Sequence, residues 1–175
     1  ERNRVQRKTY ELASSQLGQA SPRLTPLGQV AEATRLFKRM ALNQSILNKL
    51  CDIVGAENVL TAKEDLIPYA FDGTAALKET PGCVAFAAGT EHVSNVLKLA
   101  NDTGTPVVTR GSGTGLSGGS VPAVDCIVLC TVKMEQVIEV DAANLTMMVE
   151  PGVTTVRIAE DAAKAGLFYP PDPGS

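Results

Sequence analysis

The first regular pattern of apolar positions begins after Asn43. Apolar side chains recur at helical spacing from Ile46 to Val54, so the sequence predicts an amphipathic helix that Asn43 caps and Gly55 ends. Residues 61–64, Thr-Ala-Lys-Glu, fit a capping box and predict a short second helix.

Two short apolar runs, at 83–87 and 106–109, are typical of buried strands. Between them, Thr90 can cap a helix with apolar positions at helical spacing. The order strand, helix, strand predicts a βαβ unit whose strands are parallel and whose crossover is right-handed. In open α/β sheets, ligands bind outside the carboxyl ends of such strands.

Strand and turn signals continue beyond this unit. Residues 126–131 predict another strand, and residues 136–140 and 145–150 predict an antiparallel pair joined by a short turn. A threonine pair at 154–155 can begin a last helix, which Gly166 ends.

Glycine is unusually dense between two of the predicted strands. Five glycines lie within nine residues: Gly111, Gly113, Gly115, Gly118 and Gly119. Such a density is tolerated where the backbone needs positive φ or must approach a ligand closely. Successive backbone N–H groups can then form an anion-binding concavity, to which Ser112, Thr114 and Ser117 add hydroxyls and Arg110 a local counter-charge. We interpret this loop as a phosphate or pyrophosphate site, with a flexible linker as the alternative.

Two familiar phosphate motifs do not fit the loop. Residues 113–118 match G-x-G-x-x-G, but Gly119, Ser120 and Pro122 follow where a Rossmann helix should continue. A P-loop is excluded because Gly119 stands where its lysine would be. We therefore expect a long irregular loop that binds its anion mainly through backbone donors.

The length, composition and charge of the chain limit the classes of protein to which it can belong. A chain of 175 residues with 44% hydrophobic content can bury one core, and its net charge of −3 gives no reason to expect a nucleic-acid partner. No apolar run is long enough to span a membrane. The four cysteines form no C-x-x-C pair and lie in apolar elements, so we expect buried, reduced thiols, no metal site and a cytoplasmic location.

Residues 1–39 differ from the rest of the chain. They carry eight Lys/Arg against three Glu, whereas residues 40–175 are acidic. We interpret them as a basic, largely disordered extension that is vector-derived or encoded upstream, with an organellar presequence as the alternative.

The glycine loop and its surroundings resemble a known family. R-G-S-G-T-G-L-S-G-G at 110–119 is similar to the first pyrophosphate loop of FAD-linked oxidases of the vanillyl-alcohol oxidase / p-cresol methylhydroxylase (PCMH) type, and most similar to the glycolate oxidase flavin subunit and D-lactate dehydrogenases. The segments at 69–74, 149–153 and 166–173 support the resemblance, which runs from about residue 40 to the last residue.

The resemblance implies an α+β fold and a cofactor. Residues 40–175 would be the N-terminal portion of a PCMH-type FAD-binding domain, with a small parallel βαβ subdomain followed by the start of an antiparallel-strand subdomain, truncated before completion. FAD is expected to be non-covalent, because Thr114 stands where relatives that link flavin from this loop have histidine.

The same resemblance implies the site residues. The first loop should wrap the pyrophosphate, the turn at 151–152 should lie near the adenosine end, and the last three residues should lie near the flavin. The cofactor-binding set is Arg110, Gly111, Ser112, Gly113, Thr114, Gly115, Leu116, Ser117, Gly118, Pro151, Gly152, Pro173, Gly174 and Ser175.

The implied function is that of the FAD-binding portion of an oxidoreductase acting on the CH–OH group of a small 2-hydroxy acid, glycolate or D-lactate. Fe–S or electron-transfer flavoprotein subunits are the partners that relatives suggest. Residues 40–175 contain no recognisable catalytic constellation, so we expect this segment alone to be inactive. Two alternatives stay open. One is another flavoenzyme on the same scaffold, such as an alkyl-dihydroxyacetone-phosphate synthase relative. The other is a non-catalytic nucleotide- or phosphate-binding module.

Overall fold

The computed structural model describes residues 42–74 and 76–171. The predictions for residues 1–39, for the domain boundary at residue 40 and for Pro173, Gly174 and Ser175 lie outside the described residues. In chain order the helices and strands are α1 (Gln44–Val54), β1 (Val59–Leu60), α2 (Lys63–Leu66), β2 (Cys83–Phe86), α3 (Thr90–Thr103), β3 (Val107–Arg110), β4 (Ile127–Cys130), β5 (Val137–Asp141), β6 (Thr146–Val149) and α4 (Thr155–Lys164).

Two of the four predicted helix N-caps are confirmed and two are wrong. The side chain of Asn43 accepts the Ile46 N–H and begins α1, and Thr154 caps α4 in the same way. The predicted capping box at 61–64 is wrong, because Ala62, which has no hydrogen-bonding side chain, precedes α2. Thr90 is the first residue of α3 and not its cap, since Gly89 occupies the cap position.

The main sheet has the strand order β1-β2-β4-β3. Strands β2 and β3 are both parallel to β4, which confirms the parallel relation expected of the βαβ unit, while β1 is antiparallel to β2. Strand β4 lies between the two strands of that unit. Phe86, Arg110 and Cys130 are in register, so the carboxyl ends of the three parallel strands meet at one edge of the sheet.

Strand β4 is buried along its whole length because apolar layers cover both faces of the sheet. Ile127 and Leu129 belong to the layer formed by α1 and α3. Val128 and Cys130 belong to a smaller layer that contains Leu66. Burial on both faces explains why this strand is a continuous apolar run without alternation.

The predicted antiparallel pair is present as a separate two-stranded sheet, β5-β6. Its turn is closed by the Asp141 carboxylate, which accepts the N–H groups of Ala143 and Asn144 at 3.0 Å each. A groove of about 570 Å³, lined mainly by apolar side chains, lies along this hairpin and α4. Among the helices in the described part of the chain, none is both long and apolar enough to cross a bilayer.

Candidate functional site

The glycine-rich loop connects β3 to β4 through residues 111–126, none of which is helical. This confirms the irregular loop expected from the sequence and excludes a Rossmann turn, in which a helix would open at the third glycine. Gly113 and Gly118 have φ of 79° and 74°, conformations that a side chain rarely adopts. The backbone path of the loop therefore requires glycine at these two positions.

Other positions of the loop face open space. A Cβ atom added at Gly111, Gly115 or Gly119 would meet no protein atom within 4 Å. Ser112, Thr114 and Ser117 are exposed beside them. A surface of glycine backbone, free of side chains and flanked by hydroxyl groups, fits a diphosphate because the amide N–H groups can approach it closely. The loop therefore meets the physical requirement for the diphosphate of FAD.

A second stretch of chain supports the loop from the protein side. We call residues 68–74 the backing segment; it follows α2 and precedes β2. The Gly73 N–H donates to the Gly115 carbonyl at 2.9 Å. A Cβ at Gly73 would lie 2.7 Å from the Leu116 side chain and 2.9 Å from the Gly115 oxygen, so only glycine permits this approach. The backing segment thus holds the middle of the loop, at Gly115 and Leu116, in position.

Asp72 connects the backing segment to the far end of the loop. The residue is 7% exposed. One carboxylate oxygen accepts the Thr74 N–H at 2.8 Å, and the other lies 3.5 Å from the Ser120 hydroxyl. The Thr74 amide, with help from Ser120, holds the pKa of the Asp72 carboxyl below its usual value. The carboxylate is therefore charged at neutral pH, and its hydrogen bonds are directed to the protein.

The side chain of Arg110 also bonds to the backing segment. The guanidinium donates to the Phe71 carbonyl at 2.7 Å and to the Pro68 carbonyl at 3.1 Å, and its carbon lies 5.5 Å from the centre of the Tyr69 ring. Arg110 is only 7% exposed. The sequence suggested a counter-charge for a bound anion, whereas the structure gives this side chain two carbonyl partners within the protein.

The end of β4 lies directly beneath the start of the loop. The Thr131 N–H donates to the Arg110 carbonyl at 2.9 Å, and the Cys130 sulfur lies 3.8 Å from the Gly111 oxygen. Burial raises the pKa of the Cys130 thiol and, for the same reason, that of the Tyr69 hydroxyl. These groups are neutral at pH 7, so they pack beneath the loop without adding charge to the site.

The turn at Pro151-Gly152 packs against the chain that follows β4. The Gly152 N–H donates to the Met134 carbonyl at 2.8 Å. A Cβ at Gly152 would overlap the Thr131 oxygen and lie 2.7 Å from the Met134 oxygen. Since Thr131 also bonds to Arg110, this turn lies near the edge of the sheet where the loop begins. A close backbone approach accounts for Gly152 in the described residues, and its predicted place near adenosine stays a prediction.

The structure thus brings the first loop, the turn at 151–152 and the backing segment to one edge of the sheet. From the sequence, residues 69–74 support only the family resemblance, and nothing in them predicts that the backing segment holds the loop. The signal that could have revealed it is Asp72, since aspartate two residues before a backbone donor is typical of an Asx turn. Within residues 42–74 and 76–171, no three His, Cys, Asp or Glu side chains are grouped as a metal site.

Comparison with known proteins gives consistent results. Residues 81–175 match the family model described as "FAD binding domain". The chain is 34% identical over 134 residues to the glycolate oxidase subunit GlcD of Bacillus subtilis, covering 77% of this chain and 28% of that protein. It is 42% identical over 111 residues to a D-lactate dehydrogenase of Archaeoglobus fulgidus, covering 61% of this chain and 25% of that protein.

The solved structures agree on the fold. A crystal structure of p-cresol methylhydroxylase with bound substrate superposes with a TM-score of 0.63 at 25% identity, covering 70% of this chain and 25% of that chain. This confirms the expected PCMH-type α+β architecture. The chain spans about a quarter of the length of the curated relatives that it matches. Because the family model covers more than half of the sequence, including the whole glycine-rich loop, the chain belongs to the FAD binding domain family.

Proposed function

We propose that this chain is the part of a flavin-dependent oxidoreductase that holds the diphosphate of FAD, and that the whole protein oxidises a small 2-hydroxy acid such as glycolate or D-lactate. The observation that carries the proposal is the exposed glycine loop at the carboxyl ends of β3 and β4, with open space over Gly111 and Gly115. The names of the two relatives support the substrate class, since both act on 2-hydroxy acids.

Within this proposal, the N–H groups of residues 111–118 would hold the diphosphate of FAD. The Ser112, Thr114 and Ser117 hydroxyls lie on the same exposed stretch and add donors. Backbone dipoles fixed by the backing segment do not need to reorganise when the anion binds. Pro151 and Gly152 are proposed to lie toward the adenosine end, and Pro173, Gly174 and Ser175 toward the flavin.

When bound, FAD supplies the two-electron acceptor chemistry, while the protein supplies binding, orientation and electrostatics. A 2-hydroxy acid that loses two electrons and two protons becomes a 2-oxo acid, and the electrons must then pass to a separate acceptor. We propose an Fe–S or electron-transfer flavoprotein subunit as that acceptor; the word subunit in the name of one relative supports a partner subunit. The three buried free thiols favour a reducing location, which we propose to be the cytoplasm.

The test is a flavin and substrate assay on the full-length protein. We expect purified protein to be yellow, to release FAD into the supernatant after acid precipitation, and to be bleached anaerobically by glycolate or D-lactate. Release of the flavin on precipitation distinguishes non-covalent binding from a covalent link. Protein that stays colourless after incubation with FAD would contradict cofactor binding.

The alternatives give different outcomes in the same assay. Flavin that is bound but not bleached by any 2-hydroxy acid, with turnover of an acyl-dihydroxyacetone phosphate instead, would indicate an alkyl-dihydroxyacetone-phosphate synthase relative. Binding of ADP or free phosphate without flavin would indicate a non-catalytic module. The isolated 175-residue chain is expected to show no turnover of either acid with a dye acceptor.

A further inference from the structure

Arg110 anchors the beginning of the glycine loop in two directions. Its carbonyl accepts the Thr131 N–H at 2.9 Å, which ties the backbone to the end of β4. Its guanidinium bonds to the Phe71 and Pro68 carbonyls of the backing segment. The loop therefore begins at a residue whose main chain and side chain are both fixed.

The guanidinium also determines the space available to the loop. A Cβ at Gly113 would overlap the guanidinium of Arg110. Gly113 thus passes directly over the buried arginine side chain, and its left-handed turn is built against that group. Removing the guanidinium takes away the support on which the first turn of the loop rests.

We propose that Arg110 is a positioning residue for FAD: its guanidinium joins the backing segment to the glycine loop and so holds the loop N–H groups in the arrangement that a diphosphate needs. This inference rests on the proposed function, in which the loop binds the FAD diphosphate. It assigns to Arg110 a mechanical role in place of the direct counter-charge that the sequence suggested.

The two roles predict different results for Arg110→Lys. Lysine keeps the positive charge, but it lacks the planar fork that bonds two separate carbonyls while lying over an aromatic ring. A positioning role predicts that R110K weakens FAD binding almost as much as R110A, by roughly 10- to 100-fold, as expected when a charge-assisted pair of hydrogen bonds is lost. The measurement is the Kd for FAD of the full-length apoprotein, followed by quenching of flavin fluorescence.

A second variant, Gly113→Ala, tests the same contact if the arginine variants do not fold. The added methyl group displaces the guanidinium without removing its charge, and it also strains a backbone position of φ 79°, so FAD binding should weaken at least as much as in R110K. The double variant R110K/G113A separates the contact from the backbone strain: because the contact is shared, the double variant should lose less affinity than the product of the two single losses. A G113A protein with wild-type affinity for FAD would overturn the proposal.

Two control variants separate positioning from general effects. Val96→Ala removes buried apolar volume from α3 and lowers stability without reaching the loop, so its folded form should bind FAD with wild-type Kd. Arg157→Lys changes an exposed arginine on α4 and should also leave Kd unchanged. If R110K keeps wild-type affinity while R110A loses it, Arg110 is a direct counter-charge and the proposal is wrong. Wild-type apoprotein that binds no FAD would instead contradict the proposed function.

Discussion

At the scale of single residues, the glycines of this site serve three different purposes. Gly113 and Gly118 provide left-handed backbone, and Gly73 and Gly152 permit close contact between chain segments. Gly115 does neither, since its missing side chain would point into open space. Under the proposed function, the diphosphate would be the reason for glycine at this position of the loop.

This distinction predicts the behaviour of Gly115→Ala. The methyl group meets no protein atom, so the free energy of unfolding should be unchanged, whereas it would occupy the space that the diphosphate needs. We expect FAD binding to weaken by about tenfold, equivalent to about 1.4 kcal/mol. Urea unfolding and FAD titration measure the two quantities separately. Gly89→Ala, also unobstructed but outside the loop, is the matched control, and equal Kd values for G115A and G89A would contradict the prediction.

Asp72 gives a prediction about pH. Its folded-state pKa is lowered by the Thr74 amide, so its charged form stabilises the folded protein at pH values above its unfolded pKa of about 3.9, and that contribution is lost as pH falls through the folded pKa. Asp72→Asn should therefore lower the urea midpoint at pH 7, with the difference from wild type narrowing as the pH falls below about 4. Asp52→Asn, at an exposed position of α1, should change little. A deficit of D72N that is the same at pH 7 and pH 3 would refute this account.

For single residues, the sequence predicted the exposed loop but not the direction of the Arg110 side chain. The motif at 110–119 correctly located an exposed loop, because glycine density reports directly on backbone freedom. The direction of the Arg110 side chain could not be read in the same way. It depends on carbonyls of Pro68 and Phe71, which are about forty residues earlier in the chain.

At the scale of elements, the connection from β3 to β4 is unusual. Parallel neighbours need a crossover of a dozen or more residues, and a helix usually provides it. Here the loop at 111–126 is itself the crossover. Its first half can therefore remain at the carboxyl edge of the sheet while its second half returns to the amino end of β4, where the Gly82 N–H bonds to the Cys126 carbonyl at 2.9 Å.

The contact between the turn at 151–152 and the end of β4 predicts the effect of Gly152→Ala. The added Cβ would overlap the Thr131 carbonyl and press on that of Met134, and neither backbone atom can move freely. We expect a loss of about 1–3 kcal/mol in the free energy of unfolding, typical of overpacking. Chemical denaturation measures it, with Gly119→Ala, whose methyl group is unobstructed, as control. Equal stability of the two variants would show that the turn is not tightly packed.

Element boundaries were predicted well where a local signal sets them. Asn43 and Gly55 begin and end α1 because side-chain capping and termination at a glycine with positive φ depend on neighbouring residues alone. Strand order was not predicted. The placement of β4 between β2 and β3 depends on pairing across the whole sheet, and the apolar run at 127–130 fits any buried position.

At the scale of the whole molecule, the described chain combines a sheet that apolar layers cover on both faces with a two-stranded hairpin that is less covered. The main sheet carries apolar layers on both faces. The β5–β6 pair has only two strands, and Phe168 beside its apolar groove is 87% exposed. An isolated hairpin of this kind is marginally stable in water. The antiparallel pair predicted from the sequence is thus present as β5 and β6.

The position of β4 also governs the order in which the protein can form during synthesis. Strands β2 and β3 form no hydrogen bonds with each other. Both pair with β4, which leaves the ribosome after the glycine loop. A nascent chain that has released residue 110 but not residue 130 therefore lacks the strand that pairs with both β2 and β3, and unpaired strand edges favour association with other chains. The segment that we propose to bind the cofactor is thus the segment that must be translated before β4 can join the sheet.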